Sequence, residues 1–158
     1  MIDQEFWQGR RVFLTGHTGF KGSWLALWLH SLGAVVKGYA LSPPTDPSLF
    51  NEAKIDSIID SQISDIRDQD VLHKSMTTFN PDILIHMAAQ PLVRYSYDVP
   101  IETYEVNVIG TAKVLEAARS CANLKAIVNI TTDKCYENDG RSEGYKESDP
   151  MGGHDPYS

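Results

Sequence analysis

The sequence predicts a doubly wound α/β domain built on a parallel sheet, and three observations carry that expectation. Short apolar segments with strand character recur along the chain. The stretches between several of them carry helical patterning or helix start signals. A glycine-rich turn joins the first strand directly to the first helix. Strands and helices alternating at this spacing imply βαβ units, hence parallel pairing and right-handed crossovers.

In chain order, Val12-Phe13-Leu14 is the first strand, too short an apolar run for a helix of its own. From Lys21 to Leu32 the residues Trp24, Leu25, Leu27, Trp28, Leu29 and Leu32 occupy nearly every face, as expected of a helix packed on a sheet. Val35-Val36 is the second strand. The segment 42–47 holds Pro43, Pro44 and Pro47, continues neither strand nor helix, and reads as a surface loop. Ile58-Ile59 is a weaker third strand. Ser64 or Asp65 then supplies a cap for a helix from Arg67 to Phe79. Ile83-Leu84-Ile85 is the fourth strand, Ile101 to Ser120 a third helix, and Ala126 to Ile130 the fifth strand. The stretch from Glu137 to Pro156 is rich in Gly, Asp, Glu, Ser and Pro and follows the fifth strand, on the side where open α/β sheets bind ligands.

A length of 158 residues, 42% of them hydrophobic, suits one domain that buries roughly two-thirds of its unfolded surface. The net charge of -7 excludes a general nucleic-acid binder, which needs an excess of Lys and Arg on one face. Any phosphate must therefore be held locally. Cys121 and Cys135 form neither a CxxC pair nor a disulfide framework, and no metal site is suggested, which fits a reducing cytoplasm. The opening MIDQEFWQGRR has no apolar leader region, and the longest apolar run, Trp24 to Leu29, is far too short to span a bilayer.

The turn reads Thr15-Gly16-His17-Thr18-Gly19-Phe20-Lys21-Gly22. Glycines at 16, 19 and 22 permit a tight turn, close approach of backbone to a pyrophosphate, and close packing of helix on strand. The helix N-terminus adds free N–H groups and a partial positive charge. Gly16, Thr18, Gly19, Phe20, Lys21 and Gly22 are thus candidate dinucleotide contacts. The ring of His17 must leave the turn or crowd the cofactor; the first is expected, with plain exposure the bland alternative. Lys37 to Ser42, where the second strand ends, holds no acid for a ribose 2'-hydroxyl and no arginine for a 2'-phosphate, so the residues leave NAD and NADP undecided.

The TGxxGxxG form resembles the extended branch of the short-chain dehydrogenase/reductase superfamily, the NAD-dependent epimerases and dehydratases. The resemblance implies a Rossmann-type fold, NAD as cofactor and a homo-oligomer. It also implies adenine contacts at Asp65 and Ile66, cofactor contacts at Ala88, Ala89, Gln90 and Thr131, and a structural asparagine at Asn107. The segments GHTGFKGSWL, HMAAQPLVR, TDKCYEN and PMGGHDPYS are similar to the CDP-glucose 4,6-dehydratase branch across essentially the whole chain.

After the fifth strand come Thr131-Thr132-Asp133-Lys134, and the tail ends Asp155-Pro156-Tyr157-Ser158. Hydroxyl, carboxylate, amine and phenol gathered at strand ends suit acid/base work on a sugar, although each also has a bland reading as turn cap, solvated side chain or first helical residue. The resemblance implies roles on a CDP-glucose substrate. Tyr157 takes the 4-hydroxyl proton, Thr132 hydrogen-bonds that oxygen, Asp133 protonates the departing 6-hydroxyl, and Lys134 acts as C5 base. That last role demands a neutral amine, which the neighbouring Asp133 opposes unless it is itself protonated. The family's partner lysine, four residues beyond the tyrosine, would fall at a position outside the sequence. The expectation is therefore an incomplete NAD-binding Rossmann domain over residues 1–158, without the last strands and the smaller substrate-binding portion, and inactive alone. Rival readings are a nucleotide-sugar 4-epimerase, which commonly has Ser-Ser or Ser-Thr in place of the Thr132-Asp133-Lys134 set, and a non-catalytic NAD(P)-binding module.

Overall fold

Val12, Phe13 and Leu14 are all wholly buried, which consecutive strand residues achieve only in a sheet covered on both faces. In the computed structural model, which describes residues 3–158, these residues lie in β1 (Arg11–Thr15). On one side β1 pairs in parallel with β2 (Val35–Ala40), Val12 opposite Val36; on the other it pairs with β4 (Ile83–His86), Val12 opposite Ile83. Strands β3 (Asp60–Ile63) and β5 (Ala126–Asn129) extend the two flanks, also in parallel. The resulting order β3-β2-β1-β4-β5 reverses direction between β1 and β4. Such a switch point leaves a crevice at the carboxyl ends of the strands.

Alternation along the strands divides the core in two. Phe13, Tyr39 and Leu84 meet Leu72, Met76 and Phe79 of α4 (Gln69–Phe79) and Val114 and Ala117 of α7 (Thr111–Ala118). Val12, Leu14, Val36 and Ile85 meet Ala26 and Leu29 of α2 (Phe20–Ser31), with Phe50 of the short α3 (Leu49–Glu52). A four-residue helix, α1 (Gln4–Trp7), precedes β1. Among the described residues no helix is long and apolar enough to cross a membrane.

Three elements of the fold depart from the sequence reading. In α2 the buried stripe is Gly22, Ser23, Ala26 and Leu29, while Trp24 and Trp28 face outward at 56% and 51% exposure. Small residues bring the first turns of this helix close to the sheet, and Leu29 completes the buried stripe. The third strand is Asp60–Ile63 and not Ile58-Ile59, because Ile58 closes a 3-10 turn over Ile55–Ser57. A sheet edge tolerates the polar sequence Asp-Ser-Gln, and Lys37 secures its register by reaching Asp60 Oδ2 at 2.8 Å. The cap of α4 is Asp68, which accepts from Val71 N–H at 3.2 Å, and not Ser64 or Asp65. The helix expected over Ile101–Ser120 is present as one run, α6 (Pro100–Tyr104), a π-helical turn over Glu105–Gly110 and α7, and a separate short helix, α5 (Val93–Asp98), precedes it. Pro100 starts α6 at a position where its missing N–H costs nothing.

Two histidines are buried in this framework, His17 at 0% and His86 at 2% exposure. Burial pushes each from 6.5 to about 4. The unfolded chain takes up both protons first on acidification, so the contribution of the two neutral rings to stability is complete above about pH 6.5, falls between 6.5 and 4, and levels off below. Urea denaturation at stepped pH should register this fall, with up to about 3 kcal/mol from each ring. A flat profile through that window would mean the rings are ionised in the fold.

Candidate functional site

The crevice at the switch point is walled by the turn after β1 and the loop after β4. Gly16 sits at φ 78°, and a Cβ there would stand 2.8 Å from both Ala88 N and Met87 C, so glycine lets the two walls touch. Gly22 faces the same constraint from the helix side, its added Cβ lying 2.0 Å from the Gly16 carbonyl oxygen. Gly19 differs, because its nearest neighbour would be an ordinary contact at 3.5 Å. It is the N-cap of α2 and offers no side-chain cap. The opening N–H groups at Phe20, Lys21 and Gly22 therefore have no side-chain acceptor and point, with the helix dipole, at the crevice. Thr18 is committed to the scaffold, its hydroxyl donating to the Leu41 carbonyl at 2.8 Å.

His17 does leave the turn, but inward. Its ring lies against Gly38, where a Cβ would come within 2.4 Å, and edge-on to Phe50. Nε2 is 2.7 Å from Ser61 Oγ, and among the described residues Nδ1 has no hydrogen-bond partner. The ring thus neither crowds the crevice nor meets solvent.

On the opposite wall, Thr15 Oγ1 accepts from Met87 N–H and Ala88 N–H at 3.0 and 3.1 Å. Asn107, in the π-helical turn, accepts from Gln90 N–H at 2.8 Å and donates to the Gln90 carbonyl at 3.0 Å. The Gln90 side chain is occupied by Leu92 N–H and the Thr103 hydroxyl. Ala88 and Ala89 leave the backbone of this loop accessible on the crevice side, Ala89 being exposed.

The expected adenine pair divides. The Asp65 carboxylate accepts from Arg67 N–H, Nε and Nη2 at 2.7–2.9 Å. Arg67 accordingly holds Asp65 below the usual carboxylate range. A carboxylate has about four acceptor sites, so room for a ligand donor remains. Ile66, at 4% exposure, packs its side chain in the core against Gly110 of the π-helical turn, which leaves its backbone as the part that can face a ligand. Arg67 itself had no role in the sequence reading, yet it also faces Glu102 and Glu105 at 3.6 and 3.8 Å.

At the end of β5, Thr131 is exposed, and Thr132 caps a 3-10 turn over Asp133–Cys135 by accepting from Lys134 N–H at 3.1 Å. Its hydroxyl lies 3.5 Å from Asp133 Oδ1. Lys134 Nζ reaches Asp155 Oδ2 at 3.1 Å, and Asp155 Oδ1 accepts from Tyr157 N–H at 3.0 Å. Asp155 thereby ties the Thr132–Lys134 turn to the tail that carries Tyr157. The signal for it was local, since an aspartate two residues before Tyr157 forms an Asx turn. A cleft of about 510 Å³ opens here, lined by Asp133, Lys134, Tyr136, Tyr145, His154 and Asp155. Tyr136 and Tyr145 stack at 5.3 Å, and Tyr97 OH anchors the tail by donating to the His154 carbonyl at 3.1 Å. Among the described residues the Tyr157 hydroxyl makes no hydrogen bond, to Thr132 or to any other group.

Residues 13–158 match the model of the family described as GDP-mannose 4,6 dehydratase. Over all 158 residues the chain is 60% identical to a CDP-glucose 4,6-dehydratase of Salmonella typhimurium, covering 44% of that protein. It is 32% identical over 128 residues to GDP-mannose 4,6 dehydratase 2 of Caenorhabditis elegans, with 73% of this chain and 32% of that protein covered. The chain thus spans under half the length of these curated relatives. Among solved structures, a UDP-glucose 4-epimerase of Thermus thermophilus in complex with NAD superposes with a TM-score of 0.81 at 26% identity, over 93% of this chain and 46% of that one. The UDP-glucose 4-epimerase of Brucella ovis in complex with NAD gives 0.78 at 25% identity, over 94% and 43%.

The contact between the two walls makes a graded prediction about the three glycines. Gly16→Ala and Gly22→Ala should each cost about 2 kcal/mol or more, because backbone atoms must move, whereas Gly19→Ala should cost about 1 kcal/mol or less. Thermal denaturation of the three variants checks the order, and equal losses would contradict the close approach.

Proposed function

Because the chain belongs to the GDP-mannose 4,6 dehydratase family, we propose that it is the cofactor-binding portion of a nucleotide-sugar 4,6-dehydratase that uses NAD and acts on CDP-glucose. Whole-chain identity of 60% to a CDP-glucose 4,6-dehydratase is the observation that carries this reading.

The crevice fits a dinucleotide. The walls meet only because Gly16 lacks a Cβ, and the uncapped start of α2 provides backbone donors for a pyrophosphate in a chain of net charge -7. Gly19, Phe20, Lys21 and Gly22 would hold the phosphates, Asp65 and the Ile66 backbone the adenine, and Ala88, Ala89, Gln90 and Thr131 would line the nicotinamide side. Gly16 and Thr18 shape the turn. The preference for NAD over NADP rests on the NAD in the solved relatives. NAD, when bound, would supply the acceptor for the C4 hydride and the hydride for C6, with a proton returned to C5, so that the reaction has no net redox change.

The residues around the second cleft handle the protons. Tyr157 removes the proton from the 4-hydroxyl, and Thr132 steadies that oxygen. The 4-ketone acidifies the C5 proton, whose loss is followed by departure of the 6-hydroxyl as water, protonated by Asp133. A base needs the lone pair of a neutral amine, and Lys134 stands in an ion pair with Asp155. Its role at C5 therefore requires that pair to part when substrate enters, which makes Asp155 a control on the Lys134 lone pair. A 4-epimerase expels no hydroxyl and needs no acid at Asp133, so this carboxylate favours the dehydratase over the epimerase.

Offering CDP-glucose, dTDP-glucose and GDP-mannose in turn to the holoenzyme tests the assignment. A 4-keto-6-deoxy product forming fastest from CDP-glucose is expected, and Asp133→Asn should lower kcat by about 10² to 10⁴. A C4 epimer formed without loss of water, or turnover of GDP-mannose alone, would contradict it.

A further inference from the structure

The position of every proton around His86 follows from counting. Thr15 Oγ1 accepts from two backbone donors, Met87 N–H and Ala88 N–H. Both lone pairs are then used, so its own proton goes to the remaining neighbour, His86 Nδ1 at 2.6 Å. An imidazole nitrogen that accepts carries no proton, which leaves the proton of the neutral ring on Nε2. Nε2 lies 3.0 Å from Thr111 Oγ1. The Thr111 hydroxyl in turn donates to the Asn107 carbonyl at 2.7 Å. Asn107 is the residue that grips Gln90 through both its amide atoms. Burial of the ring, 2% exposed, keeps it neutral and the directions of these bonds fixed.

We infer that His86, held as the Nε2–H tautomer, is a positioning residue that couples the Thr15 clamp on Met87 and Ala88 to the Asn107 clamp on Gln90. The wall of the crevice between residues 87 and 90 is fixed at both ends, and His86 joins those ends through the interior. A histidine that merely filled space would leave the two clamps independent. The coupling accounts for the placement of Thr111 at the start of α7, directly after the π-helical turn that presents the Asn107 side chain to Gln90.

Two measurements on the 158-residue chain test this. Long-range 15N–1H NMR reads the tautomer directly: a protonated Nε2 with a bare Nδ1 at neutral pH is expected, and an Nδ1–H form or an exchange-averaged ring would overturn the inference. The second, which rests on the proposed NAD binding, is a calorimetric NAD titration of Thr15→Ser, Thr15→Val, Thr111→Val and the double valine variant. Thr15→Ser keeps the hydroxyl and should bind within about twofold of the parent, whereas each valine variant should bind about tenfold more weakly. The double variant should lose little more than either single one, because either break opens the same chain. Additive losses, or full affinity in Thr111→Val, would overturn the coupling. Failure of the unsubstituted chain to bind NAD would instead refute the cofactor reading; thermal melting of the same variants then reads the coupling, with additive losses again refuting it.

Discussion

The constraint on which the site depends is the contact of two backbone segments, Gly16 after β1 and Met87-Ala88 after β4. A single Cβ at position 16 would stand 2.8 Å from those atoms. Both segments leave adjacent parallel strands at the switch point, so their approach closes the carboxyl end of the sheet and defines the crevice. Gly22 repeats the constraint on the other side of the turn, which fixes the start of α2 against it. The helix N-terminus is therefore aimed by packing, and its donors are left free because Gly19 has no side chain to cap them.

Local backbone polarity, and not overall charge, is what this chain offers a phosphate. Its acids outnumber its bases by 21 to 14, so long-range repulsion opposes an anionic ligand. Short-range N–H groups and the dipole of α2 act only within the first turn, which confines binding to one place. The second cleft works differently. There the side chains are charged and mutually paired, Lys134 with Asp155, and the same aspartate orders the backbone of Tyr157. Under the proposed role of Lys134 as a base, substrate entry and the freeing of its amine would be linked through that one carboxylate.

Much of this was legible in the sequence where the signal is local. Strands β1, β4 and β5 announce themselves as apolar runs, and the glycine spacing marks the turn before α2. The polar edge strand β3 carries no such signal, because an edge position makes no demand for apolar residues on both faces. The outward tryptophans of α2 misled for a related reason: periodicity shows that apolar residues occur, whereas the packing distance selects Gly22, Ser23 and Ala26 for the buried face. The inward turn of His17 and the burial of Ile66 depend on partners far away in sequence, namely Gly38 and Gly110. Asp155 lies beside a residue the sequence did single out, but its partner Lys134 is brought to it only by the path of the tail.

The central claim, that the crevice at the switch point is the dinucleotide site, is tested most directly by following backbone amide resonances while NAD is titrated into the chain. The account predicts the largest shifts at residues 16–22 and 88–90, with little change along the groove between β2 and α4 that Lys37, Asp60 and Lys74 line. Shifts centred on that groove, with the glycine turn unmoved, would contradict it.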